Sequence, residues 1–217
     1  MFNDIKNRIR PFDLICFRGD DFVSTGISKI QEKMLGNGDW THVGMVITTD
    51  IIPIKNGKPG KLYVWESTMS GRLTDGVNNE ETGASKFGVQ IRDLEKVLKA
   101  YVKNDITKIA WCKLKKNPLD GENIKQIKYD MEEFHKEHGD ASYEYKIIPL
   151  LKTIFPCLGR WFKTSDNFFC SELVATIYNK IGVLSGIDPE KIAPVEFLGY
   201  TNDGVIDIVE KPIVILK

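Results

Sequence analysis

Residues 167–182 read Asn-Phe-Phe-Cys-Ser-Glu-Leu-Val-Ala-Thr-Ile-Tyr-Asn-Lys-Ile-Gly, and this pattern predicts an amphipathic helix with a cysteine in its first turn. Apolar side chains recur at the spacing of one buried helical face, at Cys170, Leu173, Val174, Ile177, Tyr178 and Ile181. Gly182 is the residue type that most readily ends a helix in the left-handed conformation. We expect Asp166 or Asn167 to cap the first turn, where unpaired amides and the helix dipole favour a thiolate. Cys170 is therefore a candidate nucleophile, and the alternative is an ordinary buried cysteine on the apolar face.

A histidine and a glutamate far upstream lie on segments typical of strands. His42 opens Thr41-His-Val-Gly-Met-Val-Ile-Thr48, and Glu66 lies in Leu62-Tyr-Val-Trp-Glu-Ser67, which alternates with period two. Glu66 shares an apolar face with Leu62 and Val64, where a carboxylate requires a partner. The midpoint between positions 42 and 66 falls in the connecting loop, so a symmetric hairpin would bring the two side chains close together. With Cys170 nearby, they would complete a nucleophile, a base and an orienting carboxylate.

Five short motifs carry a family resemblance: Phe12-Asp-Leu-Ile15, Thr41-His-Val-Gly-Met-Val46, Trp65-Glu-Ser67, Phe169-Cys-Ser-Glu-Leu-Val174 and Pro194-Val-Glu-Phe-Leu198. Together they resemble the YiiX-like group, the circularly permuted branch of the NlpC-type, papain-like cysteine hydrolase superfamily, over about residues 12–200. The histidine precedes the cysteine by more than half of the chain, which is the permuted order. The resemblance implies that Cys170 is the nucleophile, His42 the base and Glu66 the residue that orients the imidazole. One position departs from the pattern, because the group usually has a glycine where this chain has Phe12, before Asp13.

Composition sets the broad class of the protein. With 217 residues, 42% of them apolar and 28% charged, we expect residues 1–217 to form a single domain. Thirty basic and thirty acidic residues cancel, which argues against a dedicated nucleic-acid binder. Residues 1–11 lack the apolar core of a signal peptide, and no apolar run reaches the roughly 18 residues of a membrane span. We therefore expect a cytoplasmic protein in a reducing compartment, with free thiols at Cys16, Cys112, Cys157 and Cys170.

The rest of the chain predicts further strands near 13–17, 89–91 and 106–114, and helices near 25–35, 93–101 and 120–138, the last of them capped by Asp120. Residues 69–88 have no periodicity and predict a long loop that could cover the site. Residues 147–162 are apolar, which fits a buried connection or a hydrophobic wall beside Cys170 that contacts a lipid surface. For Trp40 we favour a core position over a substrate pocket. For His135 and His138 we favour a solvated helix face over a metal site.

These observations predict an α+β protein with a permuted papain-like (NlpC-type) fold. Its small, mostly antiparallel sheet holds the His42 and Glu66 strands and packs against the Cys170 helix. The predicted activity is that of a thiol hydrolase or acyltransferase that cleaves an amide or ester bond and needs no metal or organic cofactor. The apolar segment favours an acyl or lipid-linked substrate and peripheral membrane contact. The alternative is a non-catalytic lipid- or peptide-binding module on the same fold.

Overall fold

The computed structural model describes residues 2–19, 22–68, 76–84, 88–103, 106–139, 142–143, 167–199 and 206–216. In these ranges the helices are α1 Phe2–Ile5, α2 Phe22–Leu35, α3 Leu94–Lys103, α4 Ile124–His138 and α5 Cys170–Lys180. The strands are β1 Leu14–Gly19, β2 His42–Ile47, β3 Tyr63–Thr68, β4 Gly88–Asp93, β5 Ile106–Cys112, β6 Ser142–Tyr143, β7 Asn167–Phe168 and β8 Ile213–Leu216. Short 3₁₀ helices lie at Lys6–Arg8, Pro118–Asp120, Pro189–Lys191 and Pro194–Leu198.

Six of the described strands form one antiparallel sheet in the order β4-β3-β2-β1-β5-β8. Its strands are rich in β-branched and aromatic residues, which suit a pleated surface that is buried on both sides. In the β2–β3 pair Met45 lies opposite Trp65, and in the β1–β2 pair Phe17 lies opposite His42. The predicted antiparallel sheet with the His42 and Glu66 strands is therefore confirmed. β6 and β7 pair separately, in parallel.

Each face of this sheet packs against a different helix because successive side chains alternate between the faces. Helix α5 covers one face, where Leu173 and Ile177 share a core with Met45 and Trp65. Helix α3 covers the other face, and its side chains Leu94, Val97 and Leu98 share a second core with Val46 and Val64. The result is an α+β fold of three layers, with the sheet in the middle. The predicted packing of the Cys170 helix against the sheet is confirmed.

Phe12, just before β1, has the left-handed backbone conformation that favours glycine, with φ at 73°. Among the described residues it is the one non-glycine residue with a positive φ. Its side chain is fully buried in the core on the α5 face. Its N–H donates to the Val46 carbonyl at 2.7 Å, and its own carbonyl accepts the Tyr178 hydroxyl at 2.5 Å. A glycine would adopt this backbone conformation without strain, whereas phenylalanine adopts it because two backbone hydrogen bonds fix the main chain and the buried ring packs in the core.

The starts of three helices differ from the sequence prediction, and the first of them is α2, which begins at Phe22 rather than near residue 25. Asp120 does not cap α4, because Asn117 caps a separate 3₁₀ turn at Pro118–Asp120 and the longer helix begins after Asn123. Helix α5 begins at Cys170 because residues 167 and 168 pair as a strand with β6. Residues 69–75 and 85–87 of the predicted loop, and all of the apolar segment 147–162, lie outside the described residues. No helix in the described part of the chain has the length and apolar character needed to cross a membrane.

Candidate active site

Cys170 is the first residue of α5 and is fully buried. The N-cap residue is Phe169, which makes no side-chain capping bond, so Asn167 does not occupy the N-cap position. Asp166 lies outside the described residues. Glu172 reaches back instead, and its carboxylate accepts the Phe169 N–H at 3.2 Å. The amides of residues 170–172 have no acceptor within the helix, so the thiol lies at the positive end of the helix dipole.

His42 and Glu66 are in direct contact. Nε2 of His42 lies 2.5 Å from Oε2 of Glu66. His42 is the first residue of β2, and 16% of its side chain is exposed, whereas the Glu66 side chain is fully buried. On its other side the imidazole packs against the Phe17 ring, with the ring centroids 5.5 Å apart. The structure thus places two of the three residues that the sequence singled out in direct contact with each other.

Gly44 allows this contact between the two strands. Met45 lies opposite Trp65, so Gly44 comes opposite Glu66, and His42 is a diagonal rather than a direct neighbour of the carboxylate. A Cβ added at Gly44 would lie 2.5 Å from Cγ2 of Val64 and 3.2 Å from Cβ of Glu66. Because Gly44 has no side chain, the side chains of Val64 and Glu66 can pack over the β2 backbone, and Glu66 can reach the imidazole.

Cys170 lies near enough to His42 to raise the pKa of the imidazole. Because Nε2 is bonded to Glu66, Nδ1 is the ring nitrogen that remains for the thiol. Burial acts to lower the pKa of His42, but Cys170 and then Glu66 outweigh burial and raise that pKa to about 10. Burial likewise acts to raise the pKa of Glu66, but the charge of Arg92 and the bond to His42 lower it to about 2. The arrangement favours an imidazolium that is bonded to the Glu66 carboxylate and lies near the Cys170 sulfur, which is the order of groups that thiol catalysis uses.

The three side chains meet at the end of the sheet rather than underneath α5. Glu66 lies on the face of Val64, which packs against α3, whereas Cys170 belongs to the core on the α5 face. His42 is the terminal residue of its strand, and there the N-terminus of α5 reaches it. The sequence did not indicate which of the two faces carries the carboxylate.

Two further buried residues of this site were missed by the sequence analysis. Arg92 of β4 donates to Oε1 of Glu66 from Nε at 2.9 Å and from Nη2 at 2.6 Å, and Nη2 also donates to the Tyr101 hydroxyl at 2.8 Å. Both side chains are almost completely buried. A signal was present in the sequence, since an arginine inside an apolar strand needs a buried anion and Glu66 needs a buried cation.

The other candidate residues, Trp40, His135 and His138, pack against neighbouring side chains. Trp40 is buried in the core on the α5 face, in agreement with the interpretation favoured from the sequence. His135 lies 3.9 Å from a carboxylate oxygen of Glu81, while His138 packs against Phe134. Within the described ranges, no group of three or more His, Cys, Asp or Glu side chains could hold a metal ion.

A cavity of about 1060 Å³ lies near the C-terminal end of α5, with Lys180 and Val183 among its lining residues. Cys170 is at the other end of this helix, roughly 15 Å away at 1.5 Å per residue. The cavity is therefore too far from the thiol to hold the reacting part of a substrate.

No known family model matches the sequence, and no curated protein matches it. Among solved structures, the chain is similar to the crystal structure of metalloprotein yiiX from Escherichia coli O157:H7. The two chains are 14% identical with a TM-score of 0.46, and the match covers 96% of this chain and 97% of the other. The name of that structure is also the name of the group that the short sequence motifs resemble.

Proposed function

We propose that the chain is a thiol hydrolase or acyltransferase that cleaves an amide or ester bond through Cys170, His42 and Glu66. The observation that carries the proposal is an imidazole held at 2.5 Å by a fully buried carboxylate, with a helix N-terminal thiol acting on the same ring. A histidine that a buried carboxylate orients and that lies near a cysteine is the arrangement that thiol catalysis requires.

In the proposed reaction His42 holds the proton of Cys170, and the thiolate attacks the substrate carbonyl carbon. The backbone N–H of Cys170 donates to the oxyanion that develops on the carbonyl oxygen. The imidazolium then gives its proton to the departing amine or alcohol, which leaves a thioester on Cys170. Water or a second acyl acceptor, deprotonated by His42, attacks the thioester and releases the acyl group, so the thiol is restored.

The motifs, their permuted order and the antiparallel sheet with its cysteine helix support a permuted papain-like fold of the NlpC type, with residues 1–217 as one domain. The apolar sequence of residues 147–162 favours an acyl or lipid-linked substrate and peripheral contact with a membrane. Free thiols at Cys16, Cys112 and Cys170 suit a reducing, cytoplasmic compartment.

A second candidate function is a module that binds a lipid or peptide on the same fold without turning it over. The full burial of Cys170 favours this candidate, since a nucleophile must reach its substrate. Replacement of the thiol distinguishes the two functions, because turnover depends on the sulfur and binding does not.

The test is a screen of acyl esters and acyl amides of increasing chain length, with wild type, Cys170→Ser, His42→Ala and the control Cys112→Ala. Cys112 is a matched control because it is as deeply buried as Cys170 but lies in β5, away from the site. We expect Cys170→Ser and His42→Ala each to lose at least 100-fold in kcat/KM and the control to stay within a few-fold of wild type. Turnover that survives in Cys170→Ser would refute the proposal. Wild type that binds an acyl ligand without turnover, with the same affinity in Cys170→Ser, would establish the binding module.

A further inference from the structure

Five side chains form a closed ring of contacts on the α3 face of the sheet: His42, Glu66, Arg92, Tyr101 and Phe17. The polar half runs from the imidazole through the carboxylate and the guanidinium to the Tyr101 hydroxyl. The aromatic half returns from the Tyr101 ring to Phe17, edge-on at 4.8 Å, and from Phe17 to the imidazole at 5.5 Å. Tyr101 of helix α3 is therefore linked to His42 both through Arg92 and Glu66 and through Phe17, although α3 lies on the opposite side of the sheet from α5.

Within this ring the two oxygens of Glu66 have different partners. Two guanidinium nitrogens of Arg92, Nε and Nη2, donate to Oε1, and the imidazole is bonded to Oε2. A guanidinium stays protonated at every pH at which the protein is folded, and its planar fork holds a carboxylate in one rotamer. The Arg92 side chain is itself fully buried, so its charge is poorly screened by solvent.

We propose that Arg92 and Tyr101 are positioning residues of the thiol site, which hold Glu66 ionised and in the rotamer that aligns His42 with Cys170. This inference rests on the proposed function. It assigns a role in the chemistry to β4 and α3, neither of which contributes a reacting group.

The charge balance of the site shows what Arg92 contributes. The titratable and charged groups around Glu66 in the described residues are His42 from β2, Arg92 from β4 and Tyr101 from α3, with Cys170 from α5 acting through His42. Without Arg92, burial favours the protonated carboxyl group. A neutral Glu66 no longer stabilises the imidazolium or holds the ring by a charge-assisted bond, so His42 loses its orientation towards the Cys170 sulfur as the pH falls and Glu66 is protonated.

The experiment measures the rate of Cys170 alkylation by iodoacetamide from pH 4 to 9, with peptide mapping by mass spectrometry. The variants are Arg92→Met, Arg92→Lys and Tyr101→Phe. The control is Arg10→Met, which removes an arginine from an exposed, doubly hydrogen-bonded pair with Asp120. Unfolding curves show which variants remain folded.

We expect Arg92→Met to move the acid limb of the profile up by at least one pH unit and to lower the rate at pH 6 at least tenfold. Arg92→Lys keeps the positive charge but loses the planar guanidinium. Its alkylation profile should therefore have the wild-type acid limb, while its alkylation rate stays below that of wild type. Tyr101→Phe should keep the wild-type acid limb and lose a few-fold in rate, and Arg10→Met should match wild type.

Two failures of the test are distinguishable. If wild-type Cys170 reacts no faster than Cys112, the proposed thiol chemistry itself is wrong, and the positioning role is wrong with it. If wild-type Cys170 is selectively reactive but folded Arg92→Lys and Tyr101→Phe have the wild-type rate and profile, only the positioning role is overturned. These two conservative variants decide the matter even if Arg92→Met does not fold.

Discussion

Phe12 combines a backbone conformation that glycine adopts without strain with a buried ring that glycine cannot supply. Its φ of 73° costs an L-residue roughly 1–2 kcal/mol, while truncation of a buried phenylalanine costs about 3–5 kcal/mol. We therefore expect Phe12→Ala to lower the free energy of unfolding by about 3–5 kcal/mol. Phe12→Gly should lower it by roughly 1 kcal/mol less than Phe12→Ala does. Urea unfolding of both variants checks this order.

The order of these two variants is informative because it reverses the usual one. In ordinary helix and strand positions glycine is the less stable choice, by about 0.5–1 kcal/mol. If Phe12→Gly proves less stable than Phe12→Ala, the backbone at residue 12 is not left-handed in solution.

Glu66 makes the free energy of unfolding depend on pH in a way that its amide analogue does not. Its pKa is lowered from 4.5 to about 2, so its contribution is present above pH 4.5 and is lost as the pH falls towards 2. His42, raised from 6.5 to about 10, contributes below pH 6.5 and loses its contribution as the pH rises towards 10. We expect the stability difference between wild type and Glu66→Gln to be greatest between these limits and to fall on both sides.

On the acid side the difference should shrink by about 3 kcal/mol in total, at 1.36 kcal/mol for each unit of pKa shift. Urea unfolding of both proteins at pH 3, 5.5 and 9 measures it. A difference that is the same at pH 3 and pH 5.5 would show that Glu66 is not ionised and paired in the folded state.

At the level of elements, the close approach of β3 to β2 at Gly44 predicts a steric effect on the site. In Gly44→Ala the new methyl group would overlap Val64 and press on Glu66. We expect a loss of about 1–3 kcal/mol, as in other overpacked cores, together with slower alkylation of Cys170 at pH 6 because the carboxylate moves relative to His42.

Gly121→Ala is the matched control for this substitution. A Cβ at Gly121 would meet nothing closer than the Pro118 carbonyl at 3.5 Å, an ordinary contact, and its φ of −92° suits alanine. Unfolding and alkylation should therefore remain near wild type in the control. Equal behaviour of the two variants would mean that the strands are not packed as closely at Gly44 as the geometry requires.

The same elements show what the sequence could and could not predict. Periodicity was sufficient for α5 and for the strands of His42 and Glu66, because burial of one face dictates the pattern. The N-terminus of α5 was placed too early, since the pairing of residues 167 and 168 with β6 is a contact between distant parts of the chain. The hairpin register differs by two residues from a direct pairing of His42 with Glu66, since Gly44 lies opposite the carboxylate, and a two-residue difference keeps both side chains on the same face of the sheet.

For the whole molecule, the candidate site depends on contacts that local patterns do not encode. His42, Glu66 and Cys170 were recognised from residue type, burial and motif resemblance. Arg92 was not, because its role depends on the pairing of β4 with β3, which follows a long segment without periodicity. The sequence could also not assign one helix to each face of the sheet, so the support of the site by α3 was not foreseen.

The two cores predict that the described thiols need openings of different extent before they can react with a reagent. Cys16 and Cys112 lie in the centre of the sheet with their sulfur atoms 3.6 Å apart, and burial raises the pKa of Cys112 well above its usual value. They should react with a thiol reagent only through global unfolding. Cys170 is equally buried but lies at the start of a helix next to the end of the sheet, where local opening requires less free energy.

Labelling at increasing urea concentration, with the cysteines separated by mass spectrometry, tests this difference. The labelling rates of Cys16 and Cys112 should rise with urea along the slope of global unfolding. The rate of Cys170 should be nearly independent of urea until it joins the same slope close to the midpoint. If all three thiols follow the global slope from the start, Cys170 is an ordinary core cysteine, since a nucleophile that opens only when the sheet unfolds cannot act on a substrate in the folded protein.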